Sequence, residues 1–284
     1  YNRGLTYYKL GKYQNAINDF KKAIELEPKD AKAYYSLGVV YQKIEDYDNA
    51  IKSWEKAIKL DPSFADAYYN IGLLYYGKND LIKALIYFDE AINQDPNHLD
   101  AYLNRGAIRG LLGVFTGCVN DFSEAIRLQP NNALAYLNRG IAKLQLSDHE
   151  GAFLDFNKSV QLDSTNFLAY RYRGTEYYYK GNYESAIFDF NSALRINPSD
   201  TISYYNRALA KMKLNDFQGV IEDLNIYIGY IKNNADAYYT RGIAHQNLSD
   251  DANAIMDFTE AIKLNPNDFT NYYYRGYSKL RVNN

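Results

Sequence analysis

The sequence has little of what disulfide-bonded, membrane-spanning or nucleic-acid-binding proteins need. It contains one cysteine in 284 residues, which excludes a disulfide framework. No apolar run approaches the ~18–20 residues that cross a bilayer, and no signal-peptide pattern is present. The net charge is -2 with acids and bases interspersed, so the chain lacks the basic stripe that nucleic acid requires. We therefore expect no membrane insertion and no nucleic-acid partner, with the cytoplasm as the default location.

What the sequence does have is a period of 34 residues. The hexapeptide Ala-Tyr-Leu-Asn-Arg-Gly occurs at 101–106 and again at 135–140. Small and aromatic residues recur 12 and 16 residues after its glycine, and all six prolines fall at one phase. A fixed period of this size is typical of a solenoid of stacked repeats. Ala208 interrupts a glycine series that otherwise consists of Gly4, Gly38, Gly72, Gly106, Gly140, Gly174, Gly242 and Gly276.

These residues resemble the tetratricopeptide repeat (TPR) signature of an aromatic residue, a small residue four later, Ala-x-x-x-Phe and a proline. We number each repeat so that the recurrent glycine is position 8. The resemblance implies an all-α fold, a right-handed superhelical solenoid of antiparallel helix pairs with a 34-residue period. It does not define a function, because one repeat architecture serves many partners.

The apolar pattern predicts two helices in each repeat. Residues 31–43 and 47–59 of the second repeat each place apolar side chains on one helical face, and Asp46 is an expected N-cap between them. We expect a single solenoid over residues 1–284, with eight repeats, the first truncated, and a terminal helix at about 270–282. Because the chain begins without Met and inside a helix, we also expect it to be part of a longer protein.

Arginine at position 7 and aspartate at position 23 occur together. The second and third repeats, which have Leu37 and Ile71 instead of arginine, have Ser53 and Tyr87 instead of aspartate. The two positions are equidistant from the turn, so we interpret them as structural ion pairs rather than as a row of charges for a ligand. The predicted pairs are Arg3 with Asp19, Arg105 with Asp121, Arg139 with Asp155, Arg173 with Asp189, Arg207 with Asp223 and Arg241 with Asp257.

Position 6 is asparagine in five repeats. The resemblance implies that this position faces the concave groove, where TPR superhelices resembling the O-GlcNAc transferase array hold a peptide backbone through an asparagine ladder. The alternative is a solvated polar residue that helps the helix to pack. We expect loss of these amides to leave folding almost unchanged. The candidate peptide-binding residues are Asn70, Asn104, Asn138, Asn206, Tyr35, Tyr69, Tyr76, Tyr178, Tyr205 and Tyr239.

Other functional classes find less support. No three consecutive repeats have the Lys and Asn pattern of a carboxylate clamp, which argues against binding of chaperone C-terminal tails. His98, His149 and His245 fall at unrelated phases of the period and cannot converge on a metal ion or a catalytic triad. We expect no enzyme activity and no cofactor.

The sequence therefore predicts a non-catalytic scaffold that binds an extended partner segment in its groove. Two alternatives remain open. One is a structural subunit of a large assembly, docked by its convex face or its ends. The apolar residues at position 22, Ile86, Leu154, Phe188 and Met256, would lie on that convex face. The other alternative is the recognition arm of a multidomain enzyme such as a glycosyltransferase.

Overall fold

The computed structural model describes residues 1–282, and over this range the chain forms seventeen helices and no strand. The all-α prediction is confirmed. The helices are α1 (Asn2–Lys9), α2 (Tyr13–Leu26), α3 (Ala31–Lys43), α4 (Tyr47–Leu60), α5 (Ala65–Gly77), α6 (Leu81–Gln94), α7 (Leu99–Leu111), α8 (Phe115–Leu128), α9 (Ala133–Gln145), α10 (His149–Leu162), α11 (Phe167–Tyr179), α12 (Tyr183–Ile196), α13 (Thr201–Lys213), α14 (Phe217–Tyr230), α15 (Ala235–Asn247), α16 (Asp251–Leu264) and α17 (Phe269–Val282).

Each turn inside a helix pair has one residue in the left-handed region, and in six of the eight turns the next residue caps the following helix through its side chain. The second repeat shows the arrangement: Glu45 has φ 62°, and the Asp46 carboxylate accepts from the Asn49 backbone N–H at 3.3 Å. Left-handed backbone suits glycine and is tolerated by asparagine. Position 15 adopts it in all eight pairs, at Gly11, Glu45, Asn79, Gly113, Ser147, Gly181, Asn215 and Ser249.

Within each unit, the core of a pair is a large side chain at position 24 packed against the small residue at position 8. Trp54 is fully buried, and its indole Nε1 donates to the Tyr35 carbonyl oxygen at 3.1 Å. A Cβ added to Gly38 would lie under 3.0 Å from that indole. The two helices can approach closely only because position 8 has no side chain.

The helices form two compact units, residues 1–146 and 147–284. The first unit contains α1–α9 and the second contains α10–α17. Within each unit, consecutive helices pack against each other, as the TPR resemblance implies. That the two units continue one solenoid stays a prediction. None of the described helices combines the length and the apolar character needed to traverse a bilayer.

Candidate peptide-binding surface

Arg105 shows how the predicted ion pairs are built. Its guanidinium donates from Nη2 to Asp121 Oδ1 at 2.6 Å, and the two side chains are 13% and 2% exposed. The same guanidinium donates from Nη1 to Asp89 in the preceding repeat at 2.7 Å and stands 5.5 Å from the centre of the Tyr102 ring. The arginine therefore joins two repeats, whereas the sequence predicted only the contact within one.

The second unit repeats this three-way contact. Arg173 donates to Asp189 at 2.7 Å and to Asn157 of the preceding repeat at 3.2 Å, and it covers the Tyr170 ring at 5.5 Å. Burial raises the pKa of the Asp189 carboxyl, and the arginine hydrogen bonds oppose that rise. The corresponding partners are Asp223, Asn191 and Tyr204 for Arg207, and Asp257, Asn225 and Tyr238 for Arg241.

The remaining predicted pairs lie nearer the ends of the two units. Arg3 donates to Asp19 through Nε and Nη2, at 2.8 and 2.7 Å. Arg139 belongs to the first unit, where it donates to Ser123 at 3.2 Å, and Asp155 is buried in the second unit. Because the half-buried arginines at 105, 173, 207 and 241 are surrounded by partners of their own chain, the structural interpretation fits them better than a ligand site.

The first-helix surface, made in the first unit by α3, α5, α7 and α9, contains the asparagine ladder Asn70, Asn104 and Asn138. Asn70 Nδ2 donates to the Tyr35 hydroxyl at 3.0 Å, and Asn104 Nδ2 donates to the Tyr69 hydroxyl at 3.2 Å. Each bond links a repeat to the one before it. Loss of Asn70 or Asn104 would therefore remove a hydrogen bond between repeats, and the expectation that folding stays almost unchanged without these amides stays a prediction.

In these internal bonds the side-chain amide nitrogen is the donor, and the side-chain carbonyl oxygen takes no part. Within residues 1–282, Oδ1 of Asn70 and Oδ1 of Asn104 accept no hydrogen bond. An amide oxygen in this state can accept from a backbone N–H of a bound chain. The ladder can therefore act on a partner while it also joins neighbouring repeats.

Asn138 differs from the other two rungs. The residue that would receive its N–H, at position 5 of the preceding repeat, is Leu103 instead of tyrosine. The half-buried Asn138 side chain has no hydrogen-bond partner among the described residues. Both its oxygen and its nitrogen are thus available to a ligand. In the second unit, Asn206 donates to the Thr175 hydroxyl at 3.3 Å.

The candidate tyrosines fall into two groups. Those at position 5 (Tyr35, Tyr69, Tyr205 and Tyr239) are half-buried and pack on neighbouring rings, as Tyr69 does on Phe88 at 5.6 Å. Burial raises the pKa of Tyr69, Tyr205 and Tyr239 to about 12. Those at position 12 are Tyr76, which is 40% exposed, and Tyr178, whose ring meets Tyr183 edge-on at 5.5 Å. The first group offers a partner only part of each ring.

The histidines lie apart, in three different repeats. Nε2 of His98 is 3.5 Å from Asp66, Nδ1 of His149 is 3.1 Å from the buried Glu176, and Nδ1 of His245 is 3.0 Å from Asp250. Each therefore has its own carboxylate neighbour. Over residues 1–282, no group of three or more His, Cys, Asp and Glu side chains is arranged to hold a metal ion.

Family models for the tetratricopeptide repeat match most of the chain. A TPR repeat model matches residues 4–45, 43–79 and 174–215, and two tetratricopeptide repeat models match 65–98, 235–268 and 119–167. The chain belongs to the TPR family. This fold is generally a non-catalytic scaffold for protein interactions. A comparison with curated proteins gave no match.

Solved structures of TPR proteins share the fold. YrrB, described as a TPR protein with an unusual peptide-binding site, is 25% identical with a TM-score of 0.60, over 65% of this chain and 95% of that one. PilF of Pseudomonas aeruginosa is 16% identical with a TM-score of 0.63, over 76% and 98%. The Cut9–Hcn1 hetero-tetramer of the APC/C is 18% identical with a TM-score of 0.57, over 94% and 52%.

Proposed function

We propose that the chain is a non-catalytic scaffold whose first-helix surface holds an extended segment of a partner protein by its backbone. The observation that carries this proposal is the asparagine ladder: three consecutive repeats of one unit present Asn70, Asn104 and Asn138, each with an available amide oxygen. An extended segment offers one backbone N–H and one C=O at almost every residue. The similarity to YrrB, a peptide-binding TPR protein, supports the same function.

The test begins with a library of random linear peptides, from which binders to the protein are selected. Replacing all three ladder residues by alanine should weaken the selected peptides by roughly 10- to 2,000-fold, since each rung contributes about 0.5–1.5 kcal/mol. Alanine at Asn15, Asn93 and Asn120, exposed asparagines of second helices, is the matched control and should change nothing.

Because two rungs also join repeats, a second control separates binding from folding. The double variant Tyr35→Phe and Tyr69→Phe removes the same internal hydrogen bonds but keeps the asparagines. We expect it to bind peptide nearly as the unaltered protein does, because phenylalanine keeps the part of each ring that a partner can contact. If it loses as much affinity as the alanine variant, the ladder acts only through packing and the proposal fails.

The second candidate is a structural subunit docked through the outer, second-helix face. Leu154, Phe188 and Met256 favour it, since they project from α10, α12 and α16 of the second unit with 59–66% of their surface exposed. Burying such side chains against a partner would be favourable. A partner that is lost on Leu154→Asp and Phe188→Asp, and is indifferent to the ladder variant, would identify this function instead.

A further inference from the structure

The first helix of the fourth repeat, α7, lacks the side chains that other repeats have on the same face. At position 12 it has Gly110, and at position 9 it has Ala107. The other repeats fill position 12 with Tyr8, Gln42, Tyr76, Leu144, Tyr178, Met212, Gln246 and Leu280. They fill position 9 with Leu5, Val39, Leu73, Ile141, Thr175, Leu209, Ile243 and Tyr277.

The missing side chains leave a cavity of about 340 Å³ in the first unit, between α5, α7, α8 and α9. Its interior is apolar and includes Phe115, Phe122 and Ile141, and exposed Leu111 and Tyr76 stand at its edge. An apolar cavity of about 150 Å³ is enough to bind benzene. The cavity therefore has room for one large apolar side chain that enters from the first-helix surface.

A side-chain amide borders this apolar space. Asn138, the ladder residue without an internal hydrogen bond, lines the cavity. A half-buried amide beside apolar walls is most stable when a ligand satisfies it. An extended peptide supplies both requirements at once, because its backbone can bond to the amide while one of its side chains fills the cavity.

We propose that this cavity receives a single large apolar side chain, of phenylalanine or leucine size, from the extended segment whose backbone Asn138 holds. The proposal rests on the proposed function and adds specificity to it. The ladder alone binds backbone groups, which every peptide has, and so gives no preference for one sequence over another. The cavity selects segments with an apolar residue at one point and thereby fixes their register on the surface.

The probes are blocked pentapeptides with four serines and a central Phe, Leu, Ala or Lys. Titrated into ¹⁵N-labelled protein, the Phe and Leu peptides should give saturable shifts of the Gly106, Gly110 and Ile141 amides. The Ala peptide should bind about 10- to 100-fold more weakly, the ratio expected for burial of a large apolar side chain. The Lys peptide should bind no better than the Ala peptide.

Filling the cavity tests the same point from the protein side. Gly110→Leu copies Leu144 of the next repeat and should abolish the preference for Phe over Ala. Gly110→Ala is the control: its Cβ would meet only Cys118 Sγ, at 3.5 Å, so the preference should persist. If Gly110→Leu does not fold, Ala107→Leu, which copies Leu73, serves in its place.

The outcomes distinguish failure of the cavity proposal from failure of the proposed peptide-binding function. Equal binding of the Phe and Ala peptides, with both weakened by Asn138→Ala, overturns the cavity proposal and leaves the backbone-binding function intact. Binding of N-acetyl-phenylalaninamide as tight as that of the Phe peptide shows a small-molecule site and overturns both. Absence of shifts at the cavity amides also overturns the cavity proposal. Phe selectivity that is lost in Gly110→Leu and kept in Gly110→Ala, with weakening by Asn138→Ala, supports it.

Discussion

Four of the arginines at position 7 each contact three partners: an aspartate of the same repeat, a polar residue of the preceding repeat and the face of a tyrosine. They are Arg105, Arg173, Arg207 and Arg241. Burying such a charge is costly unless it is fully paired, and an apolar pair of similar size is often as stable. The chain contains an uncharged alternative in the second repeat. There Leu37 is buried at position 7, and the hydroxyl of Ser53 at position 23 donates to a carbonyl oxygen of its own helix.

Arg173→Leu should therefore destabilise the second unit, because Asp189 is left buried without its partner. We expect a loss of about 3–5 kcal/mol. Adding Asp189→Ser, which copies the second repeat, should recover much of this loss. The recovery should be incomplete, because the hydrogen bond from Arg173 to Asn157 is still missing. The urea midpoints of the single and double variants measure this, and a double variant no more stable than the single one would contradict the pairing. Arg173→Lys keeps the charge but loses the bidentate hydrogen bond, so its urea midpoint should lie between those of the unaltered protein and of Arg173→Leu.

The close approach at Gly38 gives a second prediction. Gly38→Ala should destabilise the protein by about 1–3 kcal/mol, because the new methyl group would lie under 3.0 Å from the Trp54 indole. Gly276→Ala is the matched control, since nothing lies within 4 Å of its added Cβ, and it should gain up to about 1 kcal/mol of helix stability. Fluorescence of Trp54, the sole tryptophan, follows unfolding. Equal stabilities of the two variants would show that position 8 needs no small residue.

At the scale of the element, α7 and α8 contain glycines that weaken their helices. Gly110 and Gly117 each lower helix stability by about 1 kcal/mol relative to alanine. Backbone amides of residues 106–122 should therefore exchange with solvent faster than those of residues 72–88 in the third repeat. Gly110→Ala should slow that exchange, because its Cβ fits beside Cys118. An unchanged exchange rate in Gly110→Ala would show that Gly110 is not the cause of fast exchange in residues 106–122.

Helix positions were predictable from the sequence because they depend on local pattern. The predicted 31–43 and 47–59 became Ala31–Lys43 and Tyr47–Leu60, and the Asp46 cap is present. The bond from Asn104 to Tyr69 was missed, since it depends on how neighbouring repeats stack, and no spacing within one repeat contains that information. The cavity had a readable signal, the glycine at position 12 of the fourth repeat, but its shape required the surrounding helices.

At the scale of the whole molecule, the half-buried tyrosines at position 5 predict that alkali destabilises the protein. The pKa of Tyr69, Tyr205 and Tyr239 is raised to about 12 in the folded state, against ~10 for an exposed phenol. Below pH ~10 both states keep the proton; between pH ~10 and ~12 only the unfolded chain releases it, so stability falls as pH rises. Tyr205→Phe should show a shallower decline in urea midpoint over that range. An identical slope would mean that Tyr205 ionises equally in both states.

The arginine contacts are symmetric along the chain: Arg105 reaches Asp121, 16 residues ahead, and Asp89, 16 residues behind. Arg173, Arg207 and Arg241 keep the same two spacings. A duplication or excision of one whole 34-residue segment between these arginines would leave every guanidinium with both neighbours. A single residue inserted in a turn would change one of these 16-residue spacings and so break one contact of an arginine. The length of such a chain can therefore change by whole repeats without leaving a buried aspartate unpaired.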